Sequence, residues 1–277
     1  MKNAIALGTF DGVHVGHRAV LDLPPDFRKI AVTFPIPPKA VFGGKIELIT
    51  THQRKCEILT SIGIDEILTL DFLKVKEMKP LDFLDFLYEK YHPSMFSCGF
   101  NYNFGKNGEG NTKTLEEYCR NRKIEFKCSE PIKIEGETVS STFVRNLIKR
   151  GEIEKANALL TEPFSFGNQV ITGHQRGRTI GFPTVNQKYP EDMVKLRFGV
   201  YKTKVRFDSA EYEGITDIGI RPTFETDYVI SETFIKDFSG DVYGKNLEIV
   251  PLKFLRDEIK FSSLDELKKQ IVKDLQA

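Results

Sequence analysis

Two histidines near the N-terminus, His14 and His17, are the first residues whose type and spacing could do chemistry. They are three residues apart, so on a helix they share one face. A glycine-containing turn precedes them and follows a short apolar run, residues 3–7. The carboxyl end of a strand and the start of a helix are where α/β sheets bind phosphates. The pattern predicts a nucleotide site in which the imidazole groups donate hydrogen bonds to phosphate oxygens. The alternative is a tight turn with two surface histidines.

Two further segments of the N-terminal half carry polar groups suited to a nucleotide. Residues 99–105, Gly-Phe-Asn-Tyr-Asn-Phe-Gly, follow a predicted strand, and Asn101 could bind a ribose, a phosphate or a metal-bound water. Residues 139–145, Val-Ser-Ser-Thr-Phe-Val-Arg, place hydroxyl groups at a predicted helix start, with Arg145 about one turn in as a cation for phosphate. Turn chemistry and helix capping are the alternatives for these two segments.

The C-terminal half contains a dense string at residues 173–186, Gly-His-Gln-Arg-Gly-Arg-Thr-Ile-Gly-Phe-Pro-Thr-Val-Asn. A loop rich in glycine and arginine can surround a polyphosphate with backbone N–H groups and cations. Thr184 and Asn186 supply oxygen atoms of the kind that Mg²⁺ prefers. A glycine-rich hairpin with a proline turn is the alternative.

Glu232 is the candidate proton acceptor of the same half. In a strand it shares a face with Ile230 and Phe234, because side chains alternate. A carboxylate among apolar neighbours should ionise less easily and accept a proton more readily from a hydroxyl. The alternative is an exposed or ion-paired glutamate.

The elements that must position these residues change in pattern near residue 160. Before it, strands alternate with helices, which favours an open parallel sheet. After it, short alternating runs separated by glycine turns favour a small antiparallel barrel, closed by a helix at residues 263–275. The predicted strands are 3–7, 29–34, 64–70, 95–98, 124–128, 164–171, 199–207, 212–220, 228–238 and 247–254. We predict domains at 1–158 and 159–277, with 151–163 as the connector.

The composition excludes several classes of function. The chain has 277 residues, with Lys+Arg 40 against Asp+Glu 39 and a formal net charge of +1. Such a balance gives no general electrostatic reason to expect nucleic acid or a membrane surface as a partner. The four cysteines lack metal-type spacing, which indicates reduced thiols in a cytoplasmic protein. No feature predicts an oligomeric state.

The N-terminal strings resemble a known family. Gly-Thr-Phe-Asp-Gly-Val-His-Val-Gly-His at 8–17, with the strings at 99–105 and 139–145, is similar to the adenylyltransferase module of prokaryotic bifunctional riboflavin kinase/FAD synthetases. The resemblance implies a Rossmann-like nucleotidyltransferase domain in which His14 and His17 contact ATP phosphates. It also implies that Arg145 grips the triphosphate and that the module adenylylates FMN to FAD.

The C-terminal strings resemble the riboflavin kinase module of the same family. Besides 173–186, they include Arg-Pro-Thr-Phe at 221–224, the strand 232–238 and Asp-Val-Tyr-Gly at 241–244. The resemblance implies a six-stranded antiparallel barrel with a terminal helix. It implies that Thr184 and Asn186 hold Mg²⁺ and ATP and that Glu232 is the base for riboflavin. The nucleotide-binding residues that it implies are Gly8, Phe10, Asp11, Gly16, Asn101, Ser140, Ser141, Thr142, Gly173, Arg178, Gly181 and Pro183.

Some residues depart from the family pattern. The segment after His17 is short and contains Pro24 and Pro25, and Ile36-Pro37-Pro38 stands where Pro-His-Pro is usual. These departures support an alternative: a riboflavin kinase whose N-terminal half is a weakly active or non-catalytic module for nucleotide or flavin. The intact His14, His17, Asn101 and Arg145 oppose it. A tRNA synthetase-like, RNA-directed role is disfavoured by the absence of net basic charge.

Overall fold

The computed structural model describes residues 2–41, 44–172, 181–221 and 228–277. The predicted Gly173 and Arg178 lie outside these residues. The chain divides into two compact units. One consists of Met1–Phe143 with Leu159–Glu162, and the other of Val144–Ala158 with Pro163–Ala277. Within the described residues, none of the helices is long and apolar enough to cross a membrane.

The N-terminal unit is built on a five-stranded parallel sheet in the order β3-β2-β1-β4-β7. Its strands are β1 (Lys2–Leu7), β2 (Phe27–Thr33), β3 (Glu66–Thr69), β4 (Pro93–Gly99) and β7 (Glu125–Ser129), with short hairpins of β5 (Asn103–Phe104) with β6 (Gly110–Asn111) and β8 (Lys133–Ile134) with β9 (Glu137–Thr138). Its helices are α1 (Val15–Leu21), α2 (Pro38–Val41), α3 (His52–Ser61), α4 (Phe72–Val75), α5 (Pro80–Tyr91) and α6 (Thr112–Arg122).

β1 lies at the centre of this sheet and is covered on both faces. Ile5 and Leu7 belong to one buried apolar cluster, whereas Ala4 and Ala6 belong to another. This alternation explains the continuous apolar run, since a central parallel strand is buried on both sides. The chain moves from β1 to β2 and β3 on one side, then returns to β4 on the other. The carboxyl ends of β1 and β4 therefore flank the switch point at which such sheets bind ligands.

The second unit contains a closed antiparallel barrel in the order β10-β11-β14-β13-β12-β15. The strands are β10 (Phe166–Ile171), β11 (Thr184–Lys188), β12 (Gly199–Phe207), β13 (Ala210–Arg221), β14 (Tyr228–Ile235) and β15 (Asn246–Arg256). The other elements of this part of the chain are α7 (Ser141–Arg150), α8 (Ile153–Leu159) and α9 (Leu264–Gln276). The expected fold class, a parallel sheet followed by a six-stranded barrel with a terminal helix, is confirmed.

The barrel wall has a clear inner and outer face. Thr203, Thr216 and Thr233 are buried and form a chain of hydroxyl hydrogen bonds of 3.0 Å across three strands. The alternate positions of β12 carry Lys202 and Lys204, so that face is the outer one. Residues of β11, β13 and β14 that share the face of these lysines therefore point away from the interior.

The structure also differs from the sequence expectations in the second part of the chain. Residues 184–188 form a strand rather than a continuation of the loop, and helix α8 lies inside the predicted connector. The apolar positions Ile153, Ala156 and Leu159 of α8 are buried, which gives this short helix a face to pack.

Candidate active sites

The loop after β1 has an unusual backbone. Phe10 and Val13 have φ values of 49° and 40°, and Gly12 between them has a φ of 85°. A positive φ is an outlier for a β-branched residue such as Val13, and such strain persists only when surrounding contacts hold it. Gly8 allows the tight turn, because a Cβ there would lie 2.8 Å from the ring of Phe10.

Hydrogen bonds from distant parts of the N-terminal unit hold this loop. The carboxylate of Asp11 accepts from the backbone N–H groups of Ile49 (3.0 Å) and Thr50 (3.3 Å). Ser141 donates its hydroxyl to the carbonyl of Asp11 at 2.9 Å. Thr161 donates to the carbonyl of Val13 from its hydroxyl (2.5 Å) and its backbone N–H (3.1 Å). Asp11 and Ser141 therefore have structural tasks in the loop itself.

The loop delivers the two histidines to the start of α1. His14 is the buried N-cap residue, and its Nδ1 accepts from the backbone N–H of His17 at 3.3 Å. That bond places the ring proton of a neutral His14 on Nε2, which is then the donor. The two rings stack with centroids 3.6 Å apart, and the rings of Phe10 and His17 are nearly perpendicular, with centroids 5.4 Å apart. A Cβ at Gly16 would lie 3.1 Å from the His14 ring, so glycine leaves room for it.

Asn101 lies in the loop after β4, and its side chain is exposed. Leu7 of β1 and Cys98 of β4 are partners in the sheet register, so the loops that follow them leave from neighbouring strand ends. The structure therefore brings the Asn101 loop and the histidine loop to the same edge of the sheet. Such an edge can hold a nucleotide between two loops.

The hydroxyl residues before and at the start of α7 have distinct environments. Ser140 accepts a hydrogen bond from the backbone N–H of Phe143 at 3.2 Å, the capping role given as the alternative from sequence. Thr142 is exposed, and Arg145 lies one turn into α7 and is partly exposed. Arg145 belongs to the part of α7 that groups with the barrel unit. Its role toward a triphosphate stays a prediction.

One buried cation of the N-terminal unit was not predicted from sequence. Lys55 on α3 is 2% exposed and donates to two loop carbonyls. The signal was present in the sequence, because Lys55, Ile58 and Leu59 fall on one helix face and all three are buried. A lysine on the apolar face of a predicted helix could therefore have been predicted to be buried.

In the barrel, the register of three strands aligns oxygen-bearing side chains on the outer face. Asn186 of β11 pairs with Glu232 of β14, which pairs with Asp217 of β13. Thr184, two residues before Asn186, shares this face and pairs with Phe234. Glu232 is exposed, and its cross-strand neighbours are polar. The expected apolar setting of Glu232 is therefore wrong, because that expectation considered residues along the strand and ignored those across it.

Burial shapes the chemistry of this row. Asn186 is 5% exposed, and its side-chain oxygen accepts no hydrogen bond from the described residues. Burial, together with the negative charges of Glu258 and Glu232, raises the pKa of Asp217 to about 6. An orphaned amide oxygen beside a hydroxyl and a carboxylate fits a hard cation such as Mg²⁺. No cluster of three His, Cys, Asp or Glu suited to a metal occurs among the described residues.

The approach to β11 carries the remaining predicted residues. Gly181 has a φ of 83°, a conformation that favours glycine, and Pro183 directly precedes the strand. Both residues are exposed. They therefore lie next to Thr184 at the entrance to the oxygen-bearing row.

Comparison with known proteins matches both halves of the chain. The FAD synthetase family profile matches residues 1–143, and the riboflavin kinase family profile matches residues 160–277. The bifunctional riboflavin kinase/FMN adenylyltransferase of Listeria monocytogenes is 34% identical, covering 100% of this chain and 91% of that protein. The protein of the same description from Bacillus subtilis is 32% identical, covering 99% of this chain and 91% of that one.

A crystal structure supports the fold. A Streptococcus pneumoniae protein described as a macrolide-efflux protein superposes with a TM-score of 0.91 and 26% identity, over 99% of this chain and 93% of that one. The sequence matches extend over both halves, in the same order along the chain. The chain belongs to the family of bifunctional riboflavin kinase/FMN adenylyltransferases.

Proposed function

We propose that this chain phosphorylates riboflavin to FMN and adenylylates FMN to FAD, with ATP as the co-substrate of both steps. The observation that carries the proposal is the match of both family profiles, in order, over nearly the whole chain. Each matched half also holds a separate group of suitable side chains. The N-terminal loop offers imidazoles, and the barrel offers carboxylate, amide and hydroxyl oxygens.

In the N-terminal half, a phosphate oxygen of FMN attacks the α-phosphorus of ATP, and the bond to the β-phosphate oxygen breaks to release pyrophosphate. The nucleophile is already an anion, so no strong base is needed and positioning carries most of the rate. His14 donates from Nε2 to phosphate oxygens while the start of α1 offers backbone N–H groups. Asn101 binds the nucleotide from the neighbouring loop, and Thr142 and Arg145 bind the triphosphate.

In the C-terminal half, the terminal hydroxyl of the riboflavin side chain attacks the γ-phosphorus of ATP, and ADP leaves. A primary hydroxyl needs a proton acceptor, and Glu232 takes this proton. Thr184 and Asn186 would hold Mg²⁺, which when bound would supply positive charge to the phosphates. The exposed position of Glu232 leaves its carboxylate open to the substrate.

Incubation of the purified protein with riboflavin, ATP and Mg²⁺, followed by chromatography, tests the proposal. We expect FMN to appear first and FAD to follow. FMN without FAD, even when FMN is supplied, would instead make the N-terminal half a binding module. Formation of neither product would overturn the proposal.

We also propose that the protein works in the cytoplasm. All four cysteines, Cys56, Cys98, Cys119 and Cys128, carry free thiols. Free thiols are usual in a reducing compartment. Thiol counting on protein taken directly from cells under alkylation would check this placement, since oxidised pairs would contradict it.

A further inference from the structure

Helix α3 buries a charge where an apolar residue would fit. Lys55 is 2% exposed, and Ile58 and Leu59 on the same face are buried as well. A buried ammonium group is costly unless hydrogen bonds or opposite charges compensate it. A methionine would fill similar space without that cost. The contacts of Lys55 therefore need to explain the charge.

Those contacts join the loops that follow β1 and β2. The Nζ of Lys55 donates to the carbonyl of Thr9 at 3.1 Å and to the carbonyl of Phe34 at 2.5 Å. The hydroxyl of Thr33 donates to the same Thr9 carbonyl at 2.9 Å. Thr9 directly precedes Phe10, the first residue of the loop with a positive φ. Lys55 therefore fixes the loop at the point where its backbone departs from the strand.

The charged groups around Lys55 keep its ammonium form available near neutral pH. Burial lowers the pKa of Lys55 to about 8, while the negative charge of Asp11 and the thiol of Cys56 act in the opposite direction. His52, one turn earlier on α3, interacts with Lys55 electrostatically. The ammonium group is thus present at pH 7 and is lost in mildly alkaline solution.

We propose that Lys55 is a positioning residue for the adenylylation step. Its ammonium group holds the carbonyls of Thr9 and Phe34 and so keeps the strained loop in the form that presents His14 to the phosphates. The inference rests on the proposed function of the N-terminal half. Lys55 acts through the loop and does not itself contact the nucleotide.

Lys55→Met and Lys55→Arg test the proposal, with Ile58→Ala as the matched control. Ile58 lies on the same face of α3 and is 3% exposed, so its truncation weakens the core without removing a loop contact. We expect Lys55→Met to lower kcat for FAD formation from FMN by about 10–100-fold, since small misplacements have effects of that size. Riboflavin phosphorylation, measured on the same protein, should stay near that of the parent.

The pH profile separates positioning from simple stability. FAD formation by the parent should fall as the pH rises through about 8, because Lys55 loses its proton there. Lys55→Met should show a low rate without this alkaline limb. Lys55→Arg should restore part of the rate and extend it to higher pH, since guanidinium stays charged. A Lys55→Met profile that parallels the parent, or a loss no greater than in Ile58→Ala at equal melting temperature, would overturn the inference.

A second measurement keeps the two proposals distinct. A parent protein that makes no FAD from supplied FMN contradicts the proposed function of this half, not the loop contact. Backbone hydrogen exchange of a peptide covering residues 8–14 then decides the matter at pH 7. Faster exchange in Lys55→Met than in Ile58→Ala supports the positioning role. Equal exchange in these two variants rejects it.

Discussion

In the N-terminal unit the histidines depend on a loop, whereas in the barrel Asn186 and Glu232 lie on paired strands. The loop needs buried side chains such as Asp11 and Lys55 to hold its carbonyl and N–H groups. The strands need only the backbone hydrogen bonds between them. This pairing decides which side chains lie side by side on one face of the sheet. A loop site can thus be lost through one distant residue, while a strand site depends mainly on the residues that bear its oxygens.

The two sites also differ in the chemical groups that they offer to the attacking nucleophile. The N-terminal loop presents imidazoles and a helix start, which suit a reaction whose nucleophile is already negative. The barrel row presents Glu232 and Asp217, which suit a hydroxyl that must lose a proton. Because each half carries its own groups, changes in one should spare the other. Predictions that separate the two activities therefore test this comparison directly.

The largest effect is expected from removing both imidazoles. His14→Ala combined with His17→Ala should lower FAD formation from FMN by at least about 10³-fold, because each lost phosphate donor has a large effect on such a step. Riboflavin phosphorylation should remain nearly intact. Parallel assays with supplied FMN and with riboflavin measure the two rates. A double variant that makes FAD at the parent rate would remove the histidines from the mechanism.

Glu232→Gln should have the next largest effect, in the opposite half. Glutamine keeps the size and hydrogen bonding of the side chain but cannot accept the proton. We expect riboflavin phosphorylation to fall by ~10²–10⁴-fold with little change in riboflavin binding. FAD formation from supplied FMN serves as the control. Phosphorylation within a fewfold of the parent would leave positioning by the cation as the main source of rate.

Asn186→Ala should act through the metal and be milder. It removes the buried amide oxygen that lacks a partner among the described residues. We expect a KM for Mg-ATP raised by about tenfold, roughly 1.4 kcal/mol of lost binding, in riboflavin phosphorylation alone. Titration with Mg²⁺ at fixed ATP should show a shifted midpoint. Loss of both activities together would indicate misfolding, which a melting curve would reveal.

The sequence predicted local elements better than the relations between them. Helix α9, Leu264–Gln276, lies close to its expected bounds of 263–275, because Ser263 caps its start. β11 was missed, since residues 184–188 contain one apolar residue and look like loop. The position of Asn186 opposite Glu232 depends on pairing between distant strands, which no local pattern encodes. Lys55 was missed because the sequence reasoning assigned no role to the residues of helix α3.

The last prediction concerns stability and not a reaction rate, at Asp217, the cross-strand neighbour of Glu232 on β13. Burial, with Glu258 and Glu232 nearby, raises the pKa of Asp217 to about 6. The folded state therefore holds this proton more tightly than the unfolded chain does. The stability from the protonated form is fully present below about pH 4 and is lost as the pH rises through 6. Above that range the charged carboxylate destabilises the barrel.

Asp217→Asn should remove this pH dependence while keeping the size of the side chain. At pH 7 we expect the free energy of unfolding of the barrel to rise by up to about 2 kcal/mol, with Tm higher by a few degrees. At pH 4 the parent and the variant should melt at nearly the same temperature, because the parent carboxyl is then protonated as well. An equal difference at both pH values would mean that the substitution acts through packing and not through charge. The barrel would then hold a buried carboxylate beside Glu232 without an electrostatic effect on its stability.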